Sequence, residues 1–359
     1  MTGPLEPIEP WELADPALEP GSVLLETAAS EVCGTDVHLH HGRLAGVPYP
    51  IIPGHVSVGH VLEARGVKTD ALGQPLGAGD LVTFYDVHGV CGSCYHCAVA
   101  RQPNRCPSRR VYGITYSARE GPLGGWAERI YLKPGVKIIK LPETLDADDV
   151  IGGGCGLFTG FAAVERSDLA MADTVVVQGT GPVGLSAVAL ARLRGAGHVV
   201  AIGDPAARLE LARLLGADIA LSVTGDAPAE RQRTVQDLTA GRGADVVIEC
   251  AGSADALPEG FRLLRDGGVY VIAGHYTDVG PTTINPHTDI NRKHADVRGR
   301  WGTEFHHFQR ALYLLARHRD RLPFARIIGG RYRLEEAGRA LADVESLSVT
   351  KAIIVPAAR

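Results

Sequence analysis

The sequence has no apolar run of the roughly 20 residues a membrane-spanning helix needs, which excludes a bilayer protein of that kind. Its first twenty residues are acidic and proline-rich, so they read neither as a signal peptide nor as an amphipathic targeting helix. No block of lysine and arginine stands out and the formal net charge is −5, which argues against nucleic acid as a partner. There is no internal repeat, and no low-complexity tract beyond the proline-rich start. Cysteine is sparse, with seven residues that are unevenly spaced and mostly clustered. That distribution excludes a disulfide framework and points to metal ligands in a reducing cytoplasm.

What remains is a chain of 359 residues, 45% hydrophobic, long enough for two domains with a large core. Residues 22–29 alternate as a strand leading to Cys33-Gly-Thr-Asp-Val-His38, and glycine and proline dominate from there to Pro53. Strand-like segments follow at 81–85, 111–116, 126–132 and 136–141, between glycine turns, as in a small β-rich domain. From Thr174 the pattern changes to alternating strands and helices. Strands are expected at 174–178, 198–203, 218–222, 245–250 and 268–274, with helices at 182–194, 205–215, 229–240 and 254–265. That alternation predicts a doubly wound parallel sheet. Residues 295–301 add an edge strand, 303–317 a helix, and the chain then returns to mixed strand and helix.

The first strand of that sheet runs into Gly179-Thr180-Gly181-Pro182-Val183-Gly184. In a chain with 44 glycines such spacing alone says little, but here it sits between a strand and a helix. Gly179 allows the tight turn, Gly181 lets backbone approach a pyrophosphate, and Gly184 lets helix pack on strand. The helix N-terminus then faces the phosphates, with Pro182 where its missing N–H costs nothing. Cys91, Cys94, Cys97 and Cys106 form a second signal. Four thiolates close a tetrahedral zinc site with no open position, which makes it structural. Buried cysteines and an iron–sulfur cluster are the other readings of this spacing.

In order along the chain, Cys33-Gly-Thr-Asp36, Gly54-His55, the four-cysteine lobe, Gly-Cys155-Gly-x-x-Thr159-Gly160 and the glycine turn resemble the zinc-dependent medium-chain alcohol and polyol dehydrogenases. The resemblance covers nearly the whole chain. It implies a Rossmann domain (156–300) inserted into a β-rich, GroES-like catalytic domain formed by 1–155, with the lobe at 91–106, and by 301–359. It also implies two zinc ions per chain, NAD or NADP, a small alcohol or carbonyl substrate, and a homodimer or homotetramer. Cys33, His55 and Cys155 would hold a catalytic zinc with an open fourth position; alcohol dehydrogenase is a standard example of this ligand set. Taken singly, the two cysteines also suit a core and His55 a loop.

The resemblance assigns Thr35 to accept the substrate proton and His38 to pass it to solvent, although His38 also reads as a surface histidine near His40 and His41. Asp36 would accept a hydrogen bond from His55, Thr159 would contact the nicotinamide side, and Trp126 and Phe158 would line the substrate pocket. Val56 departs from the pattern, because the family usually has a glutamate there. Gly203 stands at the usual acidic position, leaving space for a 2′-phosphate that Arg208 would bind. Asp204, one residue later, would instead meet the ribose or cap the next helix, and NAD is favoured. The main reading is an alcohol dehydrogenase transferring hydride between a primary or secondary alcohol and nicotinamide. A zinc-free reductase of activated double bonds and a non-catalytic nucleotide sensor are the alternatives.

Overall fold

A computed structural model describes residues 1–356. It divides into two compact units, Met1–Gly154 with Glu304–Arg319 and Pro323–Arg359, and Cys155–Thr303 with Asp320–Leu322. The first unit opens with β1 (Val23–Val32), α1 (Gly34–His40), β2 (Ser57–Ala64) and β3 (Leu81–Phe84). A ribbon of β4 (Val87–His88) and β5 (Arg110–Val111) brackets the cysteine-rich loop, and β6 (Arg129–Leu132) and β7 (Ile138–Lys140) follow. Helix α2 (Ala147–Arg166) carries the chain into the second unit.

That unit alternates β8 (Thr174–Gln178), α3 (Pro182–Arg194), β9 (His198–Gly203), α4 (Ala206–Leu214), β10 (Ile219–Ser222) and α5 (Pro228–Leu238). It continues with β11 (Ala244–Glu249), α6 (Ala256–Leu263), β12 (Leu264–Ile272) and β13 (Asp296–Gly299). The first unit resumes with α7 (Phe305–Arg317), β14 (Ile328–Tyr332), α8 (Ala337–Glu345) and β15 (Lys351–Ile354).

The second unit's sheet runs β10-β9-β8-β11-β12-β13, and every pairing in it is parallel. A parallel sheet covered on both faces needs continuous apolar strands rather than alternating ones. Val175, Val176 and Val177 meet that need, each fully buried and each contributing about 1.5–3 kcal/mol. This is the doubly wound Rossmann sheet expected from the alternation. The first unit's sheet is ordered β14-β15-β1-β2-β3-β7, with β6 also on β1. Strand β1 pairs antiparallel with β15, placing Glu31 opposite Ile353 and Val32 opposite Ala352. The GroES-like sheet is thus completed by a strand from the far end of the sequence.

Two differences from the sequence pattern have physical causes. Residues 112–116 form turns rather than continuing a strand after Val111. There Tyr112 is buried and its phenol accepts the Lys133 N–H at 2.8 Å, so the aromatic residues serve a core instead of a ladder. The second difference is α2, whose glycines would be poor helix formers in isolation. A Cβ at position 152 would run into the Phe324 backbone, and one at 156 would lie 2.6 Å from the Pro182 carbonyl carbon. At 160 it would meet Ser186 Cβ at 2.8 Å. Close backbone approach therefore selects glycine at these positions, and tertiary contact overrides helix propensity.

Candidate active site

Strand β1 delivers Cys33 at its end, where Cys33 becomes the N-cap of α1. Asp36 closes that cap: its carboxylate accepts the Cys33 N–H at 2.9 Å and the Gly54 N–H at 3.4 Å. One buried side chain thereby ties together the two loops that carry Cys33 and His55. The expected Asp36–imidazole hydrogen bond is replaced by these backbone bonds, and the influence of His55 on Asp36 is coulombic. Burial raises the Asp36 carboxyl above its usual value, against the opposing pull of His55.

Cys155 follows Gly154 directly, and Gly154 (φ 51°, ψ −147°) breaks α2 into two helical pieces. That conformation belongs to glycine. Through this kink Cys155 joins Glu31, Cys33 and His55, with one ligand atom from each within 4.8 Å of all the others. The donor set of two thiols, an imidazole and a carboxylate suits zinc. Sequence reasoning found three of these residues and missed Glu31. Glu31 follows the expected strand at 22–29 and belongs to no motif, although it stands two residues before a candidate ligand; in the structure it lies within β1.

Cys91, Cys94, Cys97 and Cys106 also converge within 4.8 Å, as the lobe pattern requires for a four-thiolate zinc. Backbone N–H groups of Ser93 and Cys94 hold the Cys91 thiol down at about 6. Local loop geometry therefore favours the thiolate at Cys91, whereas desolvation and then the neighbouring Cys94 push the Cys97 thiol up to about 12.

Thr35 and His38 stand three residues apart on α1, both half-buried, so they share a helix face. Burial, then the charges of Arg43 and His41, hold the His38 imidazole below its usual value. On α2, Thr159 lies one turn beyond Cys155, and both are half-buried. Phe158 is buried. Trp126 is buried too, and its indole N–H donates to the Glu31 carbonyl at 2.9 Å. The pocket it borders, about 360 Å³, is lined by Ile8, Trp11 and other first-unit residues, and none of Cys33, His55 and Cys155 lines it. Trp126 therefore braces the strand bearing Glu31.

In the second unit the glycine turn is tight at Gly179 and Gly184 and open at Gly181. Gly179 has φ +97°, and Gly184 packs so closely that a Cβ would strike the Gly179 carbonyl. A Cβ on Gly181, by contrast, would enter open space, which leaves room at the N-terminus of α3. Pro182 takes the first helical position, and Val183 follows it. At Gly203 a Cβ would lie 2.7 Å from Thr180 Cγ2, so no larger side chain fits at this position. Asp204 does not cap α4, whose N-cap is Pro205. Its carboxylate accepts the Ser222 hydroxyl at 2.8 Å and the Thr224 N–H at 2.9 Å. Arg208, in the first turn of α4, is buried, which holds its guanidinium below its usual value.

Residues 19–143 match the family model described as alcohol dehydrogenase GroES-like domain, and 182–317 match zinc-binding dehydrogenase. The chain belongs to the zinc-type medium-chain alcohol dehydrogenases. It is 35% identical to 5-exo-hydroxycamphor dehydrogenase of Pseudomonas putida, over 97% of this chain and 95% of that one. The solved alcohol dehydrogenase of Thermotoga maritima superposes with a TM-score of 0.91 at 36% identity, covering 97% of this chain and 94% of its own. A Sinorhizobium meliloti structure bound to NADP gives a TM-score of 0.81 at 29% identity, covering 95% and 94%. This dehydrogenase is an oxidoreductase acting on CH–OH groups with a nicotinamide cofactor. Among the described residues, no helix is long and apolar enough to cross a membrane.

Proposed function

We propose that this dehydrogenase interconverts a secondary alcohol and its ketone, with one zinc at Cys33, His55 and Cys155 and a second in the four-cysteine lobe. The convergence of the first ligand set beside Thr35 carries the reading. In this reading the first unit is the catalytic domain and the second holds the nucleotide. The name 5-exo-hydroxycamphor dehydrogenase describes a secondary alcohol, which supports that substrate class over primary alcohols.

A zinc held at this site supplies Lewis acidity that lowers the pKa of a bound alcohol and polarises a carbonyl. The chain's own residues handle the rest. Thr35 takes the proton from the substrate hydroxyl, and His38, kept neutral by burial and its cationic neighbours, carries it on along the same helix face. Asp36 fixes the loops bearing Cys33 and His55 through its two backbone bonds. Gly179 to Gly184 present backbone to the pyrophosphate, while Thr159 faces the nicotinamide side. Thr180 packed against Gly203, with the Asp204 carboxylate beyond it, favours NAD over NADP.

The resemblance further supports a homodimer or homotetramer, and the free cysteines suit a reducing cytoplasm. The test is zinc per chain in protein purified without added metal, followed by turnover on primary and secondary alcohols with each cofactor. About two zinc ions and faster NAD-linked oxidation of secondary alcohols are expected. About one zinc without alcohol turnover would overturn the proposal in favour of a reductase lacking the catalytic metal.

A further inference from the structure

Glu31 and Lys351 are both completely buried, and their placement is specific. The Lys351 ammonium donates to Glu31 Oε2 at 2.7 Å and to the Gly153 carbonyl at 3.3 Å. Glu31 Oε1 lies 3.5 Å from His55 Nε2 and belongs to the cluster with Cys33 and Cys155. A carboxylate–imidazolium hydrogen bond would be nearer 2.7–2.9 Å. Two ligands on a tetrahedral zinc, with bonds of about 2.1 Å, are separated by about 3.4 Å. The observed 3.5 Å is closer to that separation than to a direct hydrogen bond.

The backbone explains why the carboxylate comes from this position. The Glu31 N–H donates to the Val56 carbonyl at 3.1 Å, so residue 31 is the immediate neighbour of residue 56 across the strand pair. Val56 is itself buried and offers no donor. Space for the buried pair comes from Gly154, where a Cβ would collide with both the Glu31 carboxylate and the Lys351 ammonium. The glycine that kinks α2 ahead of Cys155 thus also makes room for Glu31 and Lys351.

We propose that Glu31 is the fourth ligand of the resting catalytic zinc, restrained by Lys351 and displaced when substrate oxygen enters. Oε1 faces the metal position while Oε2 stays on Lys351, so the carboxylate is able to release the metal without leaving its partner. Charge balances throughout: two thiolates offset zinc, and Lys351 offsets Glu31. An uncompensated carboxylate in so dry a place would be strongly disfavoured. The inference rests on the zinc assignment proposed above.

The test compares wild type, Glu31→Gln, and the charge-neutral double variant Glu31→Gln/Lys351→Met. Because the single variant strands a buried ammonium and can fail to fold, the double variant decides the outcome. The readouts are competitive chelation of the less tightly held zinc and the visible absorption of cobalt-substituted protein. A loss of about 10–100-fold in affinity at this site, with an altered cobalt spectrum and an unchanged lobe zinc, is expected. If wild type holds two zinc ions and the double variant keeps wild-type affinity and spectrum, Glu31 is only half of a structural ion pair and the inference fails alone. If wild type holds only the lobe zinc, the underlying metal assignment fails as well.

Discussion

The two cysteine clusters of this dehydrogenase solve the same coordination problem in opposite ways. The lobe gathers four thiols from residues 91–106, and Cys91 is exposed. A short chain segment closes on itself there at small entropic cost, with the β4–β5 ribbon at its base. The other cluster draws on a strand end, a loop and a helix kink between residues 31 and 155, and Glu31, Cys33 and His55 are buried. Its residues come from distant parts of the chain, with Glu31 opposite Ile353 of β15 and Cys155 directly after the kink at Gly154. A site made by a local loop is stiff and self-contained, whereas a site made by the whole fold is coupled to it. The second also holds a fully buried carboxylate, Glu31, among its ligand atoms.

Removing one thiol from each cluster gives the sharpest break in that comparison. Cys155→Ser is expected to lower kcat by about 10³-fold, the several kcal/mol that metal polarisation supplies, while nucleotide binding measured by fluorescence titration stays intact. Cys97→Ser should leave that site its metal but release the lobe zinc, with faster hydrogen exchange confined to the lobe. Equal loss of nucleotide binding and turnover in Cys155→Ser would make that residue structural.

Gly154→Ala probes the coupling of the buried site to the fold. A side chain at φ 51°, ψ −147°, pressed against Glu31 and Lys351, should cost about 3 kcal/mol in urea unfolding, combining backbone strain and overpacking. An alanine of unchanged stability would mean that the Glu31–Lys351 pair moves aside freely. The smallest effect is expected at His38. Its imidazole is held below the usual value, so it stays neutral and able to accept a proton until the pH falls through that lowered pKa. His38→Gln should reduce alcohol oxidation about tenfold at neutral pH, short of a direct acid–base group, and remove that acidic limb from the pH–rate profile. A limb that survives the substitution assigns it to another group.

Much of this molecule was legible in one dimension. The second unit's sheet could be traced because buried parallel strands write themselves as apolar runs, as at Val175–Val177, and the Gly179 turn sits where β8 meets α3. The four lobe cysteines carried their chemistry in residue type and spacing, whereas Cys33, His55 and Cys155 were joined only through the motifs that resemble the family. Helix α2 was not legible, since its glycines answer to Phe324, Pro182 and Ser186, which are remote in sequence. Nor was the packing of Thr180 against Gly203, which comes from another turn. The sequence by itself singled out the lobe cysteines, Cys33, His55, Cys155 and the glycine turn as candidates. Tertiary structure alone brought the Glu31 carboxylate beside His55 and Lys351, because that placement needs the β1–β15 pairing and the room left at Gly154, both made by residues remote in sequence.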